Sequence, residues 1–259
     1  MKYIDSMVKI FISTPCYDAM VTMQYTMSLL NLTTFLNSKY IEFVVSFIGN
    51  ESLITRARNQ ILHQFMKSDC THLLFIDSDI EFKPEAILDL LNFDKDVVAC
   101  TYPKKSFNWN KFMHSMKNEN ESKESFHSRG LDYAYNLLYN DGCIITQGQF
   151  VKVKHVATGF MMIQRNILEK LCKKYTELNI ISDNLSSKDE EYCGLFCCMI
   201  KNKQYLSEDY SFCERVLNVD GEIWMNIHHN LNHIGKYIFY GDIQHRPNLT
   251  RSIFERTFY

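Results

Sequence analysis

Three features of this 259-residue chain predict an α/β fold with a mostly parallel central sheet flanked by helices. Short runs rich in Val, Ile and Phe alternate with longer segments of helical spacing through the first hundred residues. One such run, Leu73-Leu74-Phe75-Ile76-Asp77-Ser78-Asp79, ends abruptly in acid. The composition, 46% apolar and 22% charged with nine Gly and four Pro, is that of a folded domain and excludes linker arrays and collagen-like repeats. Strand–helix alternation lets each crossover cover a face of the sheet, and ligands then gather at the carboxyl ends of the strands.

The elements follow in order. Residues 8–13 read as a strand, followed by the turn Thr14-Pro15-Cys16-Tyr17-Asp18. Residues 20–36 have helical spacing, 41–48 form a second strand and 53–66 a second helix. A strand at 72–76, a helix at 84–91 opened by Pro84 and a strand at 97–101 complete the alternation. The polar stretch 104–129, carrying Phe107, Trp109 and Phe112, then reads as a long loop of the kind that is functional or disordered. Strands follow at 142–146, 150–156 and 159–163, then a helix at 166–174 and a second polar loop at 182–191. A strand at 192–200, a helix at 208–217 and a strand at 222–227 close the chain. Neither an internal repeat nor a low-complexity linker divides it, so residues 1–259 read as one domain.

Charge and cysteine usage narrow the function classes. A formal net charge of −2 and a pI near 6.5 argue against a nucleic-acid partner. The sequence holds no apolar stretch of membrane-span length, and Asp5 and Lys9 interrupt any signal-peptide core. Nine Cys without regular spacing read as reduced thiols in a cytoplasmic compartment, which leaves the sequons at Asn31, Asn184 and Asn248 without weight.

Four segments could carry chemistry. Asp77 and Asp79, after a buried strand, place two carboxylates in the ligand crevice, where they repel unless a cation sits between them and a phosphate. Read blandly, they form an acidic turn before the Pro84 helix. Arg58 falls on the arc of Leu53, Ile54, Ala57, Ile61 and Phe65, so it either meets an anion or an acidic partner or snorkels at the helix edge. Ser207-Glu208-Asp209-Tyr210 opens a helix; Ser207 as cap and two acids at the positive end account for it locally, and a general base is the functional alternative. Three imidazoles among His228–His233 are surface residues, a zinc site or the source of a single ligand, and a zinc site lacks nearby Cys or carboxylate partners.

Taken together, the chain resembles the GT-A glycosyltransferases. The likeness rests on Ser13-Thr14-Pro15-Cys16-Tyr17, Leu53-Ile54-Thr55-Arg56-Ala57-Arg58-Asn59, Asp77-Ser78-Asp79, Thr158-Gly159-Phe160-Met161-Met162-Ile163, Ser207-Glu208-Asp209-Tyr210 and His233-Ile234-Gly235 in that order. It spans residues 8–242 and is nearest to the small stand-alone enzymes of large DNA viruses and phages. An Asn-, Lys- and Ile-rich composition suits such an AT-rich source, with the host cytoplasm or viral factory as the site of action.

The resemblance implies a GT-A (Rossmann-like nucleotide-diphospho-sugar transferase) fold, with a nucleotide-sugar half over residues 1–103 and an acceptor half over 130–259. It implies that Thr14, Pro15 and Tyr17 line the base pocket, and that Arg58, with Arg56 and Asn59, holds the nucleotide. Asp77 approaches the ribose or the metal with Ser78 beside it, and Asp79 and His233 ligate Mn²⁺, with Mg²⁺ as substitute. Lys236 contacts phosphate, Gly159 packs beside the sugar, and Asp209, aided by Glu208, deprotonates the acceptor. The implied reaction is transfer from a nucleoside-diphosphate sugar, UDP-sugar foremost, to a carbohydrate, protein or other hydroxyl acceptor, in inverting fashion. The oligomeric state stays open, a dimer included. Two rivals remain: a sugar nucleotidyltransferase, whose Gly-rich loop is replaced here by Thr-Pro-Cys-Tyr, and a non-catalytic sugar-nucleotide or glycan binder on the same scaffold.

Overall fold

Alternating apolar side chains divide each central strand between two cores. The computed structural model describes residues 8–114, 123–181 and 191–243, with the side chains at 123–125 excepted. Its main strands are β1 (Lys9–Cys16), β2 (Glu42–Gly49), β3 (His72–Ile76), β4 (Val97–Cys100), β5 (Tyr135–Leu137), β6 (Thr146–Gln147), β7 (Phe150–Val156), β8 (Phe160–Gln164) and β9 (Ile223–Asn226). They form one sheet in the order β6-β7-β9-β4-β8-β3-β1-β2, with β5 beside β7. The helices are α1 (Met23–Ser38), α2 (Ile54–Lys67), α3 (Glu85–Phe93), α4 (Arg165–Lys174) and α5 (Glu208–Leu217).

On one face Phe11, Phe75, Ala99, Met161 and Met225 pack with Ile61 and Phe65 of α2, Leu168 of α4 and Phe212 of α5. On the other, Ile12, Leu74, Val98, Met162 and Trp224 pack with Tyr25 and Leu32 of α1 and Ile87 of α3. Period-2 alternation of apolar residues therefore serves both faces, as expected of strands covered by helices on each side. The mixed α/β class with a helix-flanked central sheet holds.

The sheet is mixed rather than mostly parallel: β7 lies antiparallel to β9, β5 and β6, and one further reversal shapes the site. β1, β2, β3, β4 and β9 run the same way, but β8 lies antiparallel between β3 and β4. Phe160 pairs with Ile76 and Gln164 with His72. The reversal brings the start of β8, Thr158-Gly159, to the carboxyl end of β3, directly against Asp77.

Several boundaries also move. α1 starts at Met23 because Thr22 accepts a hydrogen bond from Tyr25 N at 3.2 Å. The C-terminal end of α2 is closed from α4: Arg165 donates to Phe65 O and Ser68 O at 2.9 Å, and its guanidinium lies 4.4 Å from the Phe65 ring. The 104–129 segment is not a bare loop. Its start forms a strand, Pro103–Phe107, paired with Leu131–Tyr133, and short helices cover Trp109–His114 and Lys123–Ser128. Phe107 organises it by packing on Trp109 and Phe112 at 4.6 and 5.2 Å. Residues 115–122, and 182–190 of the second polar loop, lie outside the described residues.

The 142–146 run is split between two hairpins, one turning at Asp141-Gly142 and the other at Gly148, all with positive φ. The 192–200 run is not one strand either. Glu191–Cys193 and Met199–Lys201 are separate short strands, and between them Leu195 and Phe196 plug the core. Phe196 stacks on Phe212 at 4.7 Å, and Arg215 Nη1 holds the carbonyls of Leu195 and Cys197 at 2.9 and 2.8 Å. No helix among the described residues is long and apolar enough to cross a membrane.

Candidate active site

Arg58 answers the question its helical arc raised. It is 3% exposed, donates from Nη2 to Asp77 Oδ1 at 2.9 Å and from Nε to Glu208 Oε1 at 3.4 Å, and sits 5.3 Å from the Phe75 ring. Its remaining nitrogen, Nη1, is buried without a hydrogen-bond partner. Burial works to lower the Arg58 pKa, but the charges of Asp77 and Glu208 outweigh it and the net shift is upward. α2, the end of β3 and the start of α5 are thus joined through one cation.

Glu208 is pushed above the usual carboxylate range by burial, with Arg58 opposing and Asp209 adding to the rise. Asp209, half-buried, uses Oδ1 locally: it accepts from Tyr210 N at 2.8 Å and from the Ser207 hydroxyl. The expected Ser207 cap is therefore absent, because the serine donates to Asp209 instead of accepting from the helix.

The close approach of Gly159 completes this corner. Asp77 N donates to Gly159 O at 2.9 Å, and Gly159 N donates to the Tyr102 hydroxyl at 3.1 Å. A Cβ on Gly159 would sit 2.2 Å from Tyr102 Oη and 2.5 Å from Asp77 Oδ2. Burial, reinforced by Asp77, raises the Tyr102 pKa well above its ordinary value, so the phenol stays neutral.

Asp79 faces a different partner. A short strand, Ile80–Glu81, pairs with Asn232–Ile234 in the register His233↔Ile80, and Ile234 N donates to Asp79 O at 2.8 Å. That register sets His233 Nε2 3.3 Å from Asp79 Oδ1. His233 Nδ1 lies 2.8 Å from Pro103 O, a contact that requires the proton on Nδ1 and leaves Nε2 to face the carboxylate. A lone pair opposite a carboxylate oxygen calls for a cation or proton between them. Lys105 donates to the other oxygen, Oδ2. Burial acts to raise Asp79, but His233 and Lys105 prevail and hold it below the usual carboxylate range.

Asp79 and His233 are the two side chains here that could hold a divalent cation. Among the described residues no group of three or more His, Cys, Asp and Glu could hold a metal by itself.

Other expected residues take other places. Thr14 and Pro15 are buried in β1, and the Thr14 hydroxyl bonds Tyr25 Oη at 2.5 Å, while Tyr17 is 66% exposed just beyond the strand. Arg56 turns to Glu51 at 2.5 Å, and Asn59 braces the 194–198 segment through Phe196 N at 2.8 Å. Ser78 contributes its carbonyl, which accepts from Thr22 N at 2.9 Å. Lys236 is exposed in the turn after His233. His229 is engaged with Asp89 at 2.7 Å, away from the Asp79 pair. Sequence reasoning missed Tyr102 and Lys105. Lys105 lay in a stretch read as loop, and neither residue belongs to a recognisable spacing.

The match to known families falls on this region. Residues 50–132, about a third of the chain, match the Anp1 family, a span that includes Arg58, Asp77, Asp79, Tyr102 and Lys105. No curated protein matches. Among solved structures, A197 from STIV is 18% identical over 88% of this chain and 86% of its own, with a TM-score of 0.45. A glycosyltransferase involved in the glycosylation of the major capsid of PBCV-1 is 9% identical over 62% of each chain, TM-score 0.29. The inositol-1-phosphate CTP transferase from T. maritima is 9% identical over 86% of this chain and 89% of its own, TM-score 0.38. At these scores the likenesses carry no functional argument.

Proposed function

We propose that this protein is a metal-dependent glycosyltransferase that moves a sugar from a nucleoside-diphosphate sugar, UDP-sugar foremost, to a hydroxyl acceptor with inversion. The observation that carries the reading is the Asp79–His233 pair, 3.3 Å apart, with the imidazole oriented by Pro103 O. The Anp1 match supports it, since that is a mannosyltransferase family and the matched span holds Asp77 and Asp79.

When bound, the cation neutralises charge growing on the leaving diphosphate. The chain's own residues do the rest. Arg58 holds the Asp77 carboxylate at 2.9 Å and ties it, through Glu208, to α5. Gly159, having no Cβ, lets Tyr102 and Asp77 close against its backbone and so fixes their position beside the donor. Asp209, its Oδ1 held by Ser207 and Tyr210, takes the acceptor hydroxyl proton on Oδ2. The new glycosidic C–O bond forms as the bond from sugar to phosphate breaks, and the nucleoside diphosphate departs.

A donor panel of UDP- and GDP-sugars, read by nucleotide release with and without Mn²⁺, tests this. Mn²⁺-dependent release of a nucleoside diphosphate supports it. Pyrophosphate release from a nucleoside triphosphate and a sugar phosphate instead identifies a nucleotidyltransferase, and tight nucleotide binding without turnover identifies a binding protein.

A further inference from the structure

A cavity of about 640 Å³ opens on the far side of the strand that carries His233. Asn232 and His233 are consecutive, so their side chains leave the strand on opposite faces: His233 towards Asp79, Asn232 into the cavity wall. Its volume lies within the ~300–1,000 Å³ of ligand pockets.

The walls are braced. Asn230 Oδ1 accepts from Ile243 N and Asn232 Oδ1 from Gly241 N, both at 3.1 Å. A Cβ on Gly241 would lie 2.0 Å from Leu231 O, so the two segments meet backbone to backbone. With Oδ1 of Asn230 committed to Ile243, its Nδ2 is the amide group turned away from that backbone. A preformed wall of this kind lowers the ordering cost of binding.

The lining selects the ligand class. The lining mixes Glu85, Asp242 and Lys83 with the imidazoles of His228 and His229, and three charged side chains disfavour a purely apolar guest. Tyr240, 38% exposed, lines the cavity beside carboxylate acceptors and the Asn230 amide, whereas Asn232 Nδ2 is committed to Glu81 Oε2 at 2.7 Å. A ligand with hydroxyls that both donate and accept, and with C–H faces that stack on an aromatic ring, matches all of these.

We propose that this cavity binds a neutral saccharide, as the subsite for a remote unit of the acceptor glycan. The acceptor role rests on the glycosyltransferase reading; saccharide binding does not. The test is a titration of the full chain with neutral linear trisaccharides of gluco, manno and galacto configuration, followed by saturation-transfer NMR. UDP–Mn²⁺ binding is measured in parallel as a check on the neighbouring site. At least one trisaccharide should bind, and its Kd should rise about tenfold in Tyr240→Ala and in Asn230→Asp, which keeps the acceptor for Ile243 N but removes the outward donor. Both variants should keep UDP–Mn²⁺ affinity. Absence of saccharide binding to the wild-type chain, or equal affinity in both variants, overturns the proposal. Saccharide binding that depends on Tyr240, in a protein that turns over no sugar nucleotide, would keep the cavity assignment and sink the glycosyltransferase reading.

Discussion

Arg58 and Asp77 meet at 2.9 Å, and the same guanidinium reaches Glu208 at 3.4 Å, 150 residues further along the chain. One buried cation thus holds a carboxylate at the end of β3 and another at the start of α5. Both acids depend on it: without Arg58 each would lose its ion-pair partner. Removing one member of a buried ion pair commonly costs about 3–5 kcal/mol. Arg58→Ala should therefore lower stability by that order in urea titration and abolish nucleotide binding. Glu208→Gln in the Arg58→Ala background should recover part of the stability, since it removes one stranded charge. A fully stable Arg58→Ala protein with wild-type binding would show that the triad is incidental.

The cation site makes a separate prediction. Asp79→Ala and His233→Ala should each remove most Mn²⁺-dependent UDP binding in calorimetry, because each deletes one of the two proposed protein ligands. His229→Ala should leave that binding unchanged, as its ring is committed to Asp89. Lys105→Ala should raise Mn²⁺ affinity, since the ammonium on Asp79 Oδ2 competes for the same carboxylate.

Catalysis should separate from binding at α5. Asp209→Asn keeps the hydrogen bonds from Ser207 and Tyr210 but loses the proton acceptor, so transfer should fall about 10²–10⁴-fold with UDP–Mn²⁺ affinity nearly unchanged. If Asp209→Asn transfers at the wild-type rate, Asp209 is only an acid at a helix start, and Glu208 or a retaining mechanism must be sought.

Gly159 is a steric test. An added methyl would be placed 2.2 Å from Tyr102 Oη and 2.5 Å from Asp77 Oδ2. Gly159→Ala should cost about 1–3 kcal/mol and impair donor binding, because relief of the clash moves Asp77 or Tyr102. Tyr102→Phe in the same background removes the nearer atom and should restore part of the stability, read as Tm.

Stability below neutral pH should report Glu214. This residue is 3% exposed and receives Lys201 at 2.6 Å, His155 at 3.0 Å and Lys154 at 3.2 Å. Burial acts to raise its pKa, but the three partners prevail and hold it at about 2, against 4.5 for a free glutamate. A depressed carboxyl contributes stability that is complete above the unfolded value and is lost as pH falls towards the folded one. Glu214→Gln should thus be less stable than wild type by about 2 kcal/mol at pH 7, and the gap should close between pH 4.5 and 2. A gap independent of pH would contradict the pairing.

The sequence by itself determined the helix-covered α/β class, the carboxylates after β3 and the Arg58 anomaly. Each of these is a local signal. Buried strands read as apolar runs, an acid pair after such a run marks its carboxyl end, and an Arg on a core-facing arc needs an anion. Even His233 could be named as a ligand only through a family pattern, and its distance from Asp79 depends on the pairing of Asn232–Ile234 with Ile80–Glu81.

Tertiary structure alone decided the rest. The run Phe160–Gln164 looks the same whether its strand is parallel or antiparallel, because side-chain alternation carries no direction; only sheet assembly set β8 against β3 and so placed Gly159 on Asp77. Tyr102, Lys105 and the Asn230–Tyr240 cavity have no spacing signature for the same reason. Their partners lie 26 to 57 residues away for Lys105 and Tyr102, and across a closed loop for the cavity. Contacts of that range come from chain closure around two cores, which no short window of sequence contains.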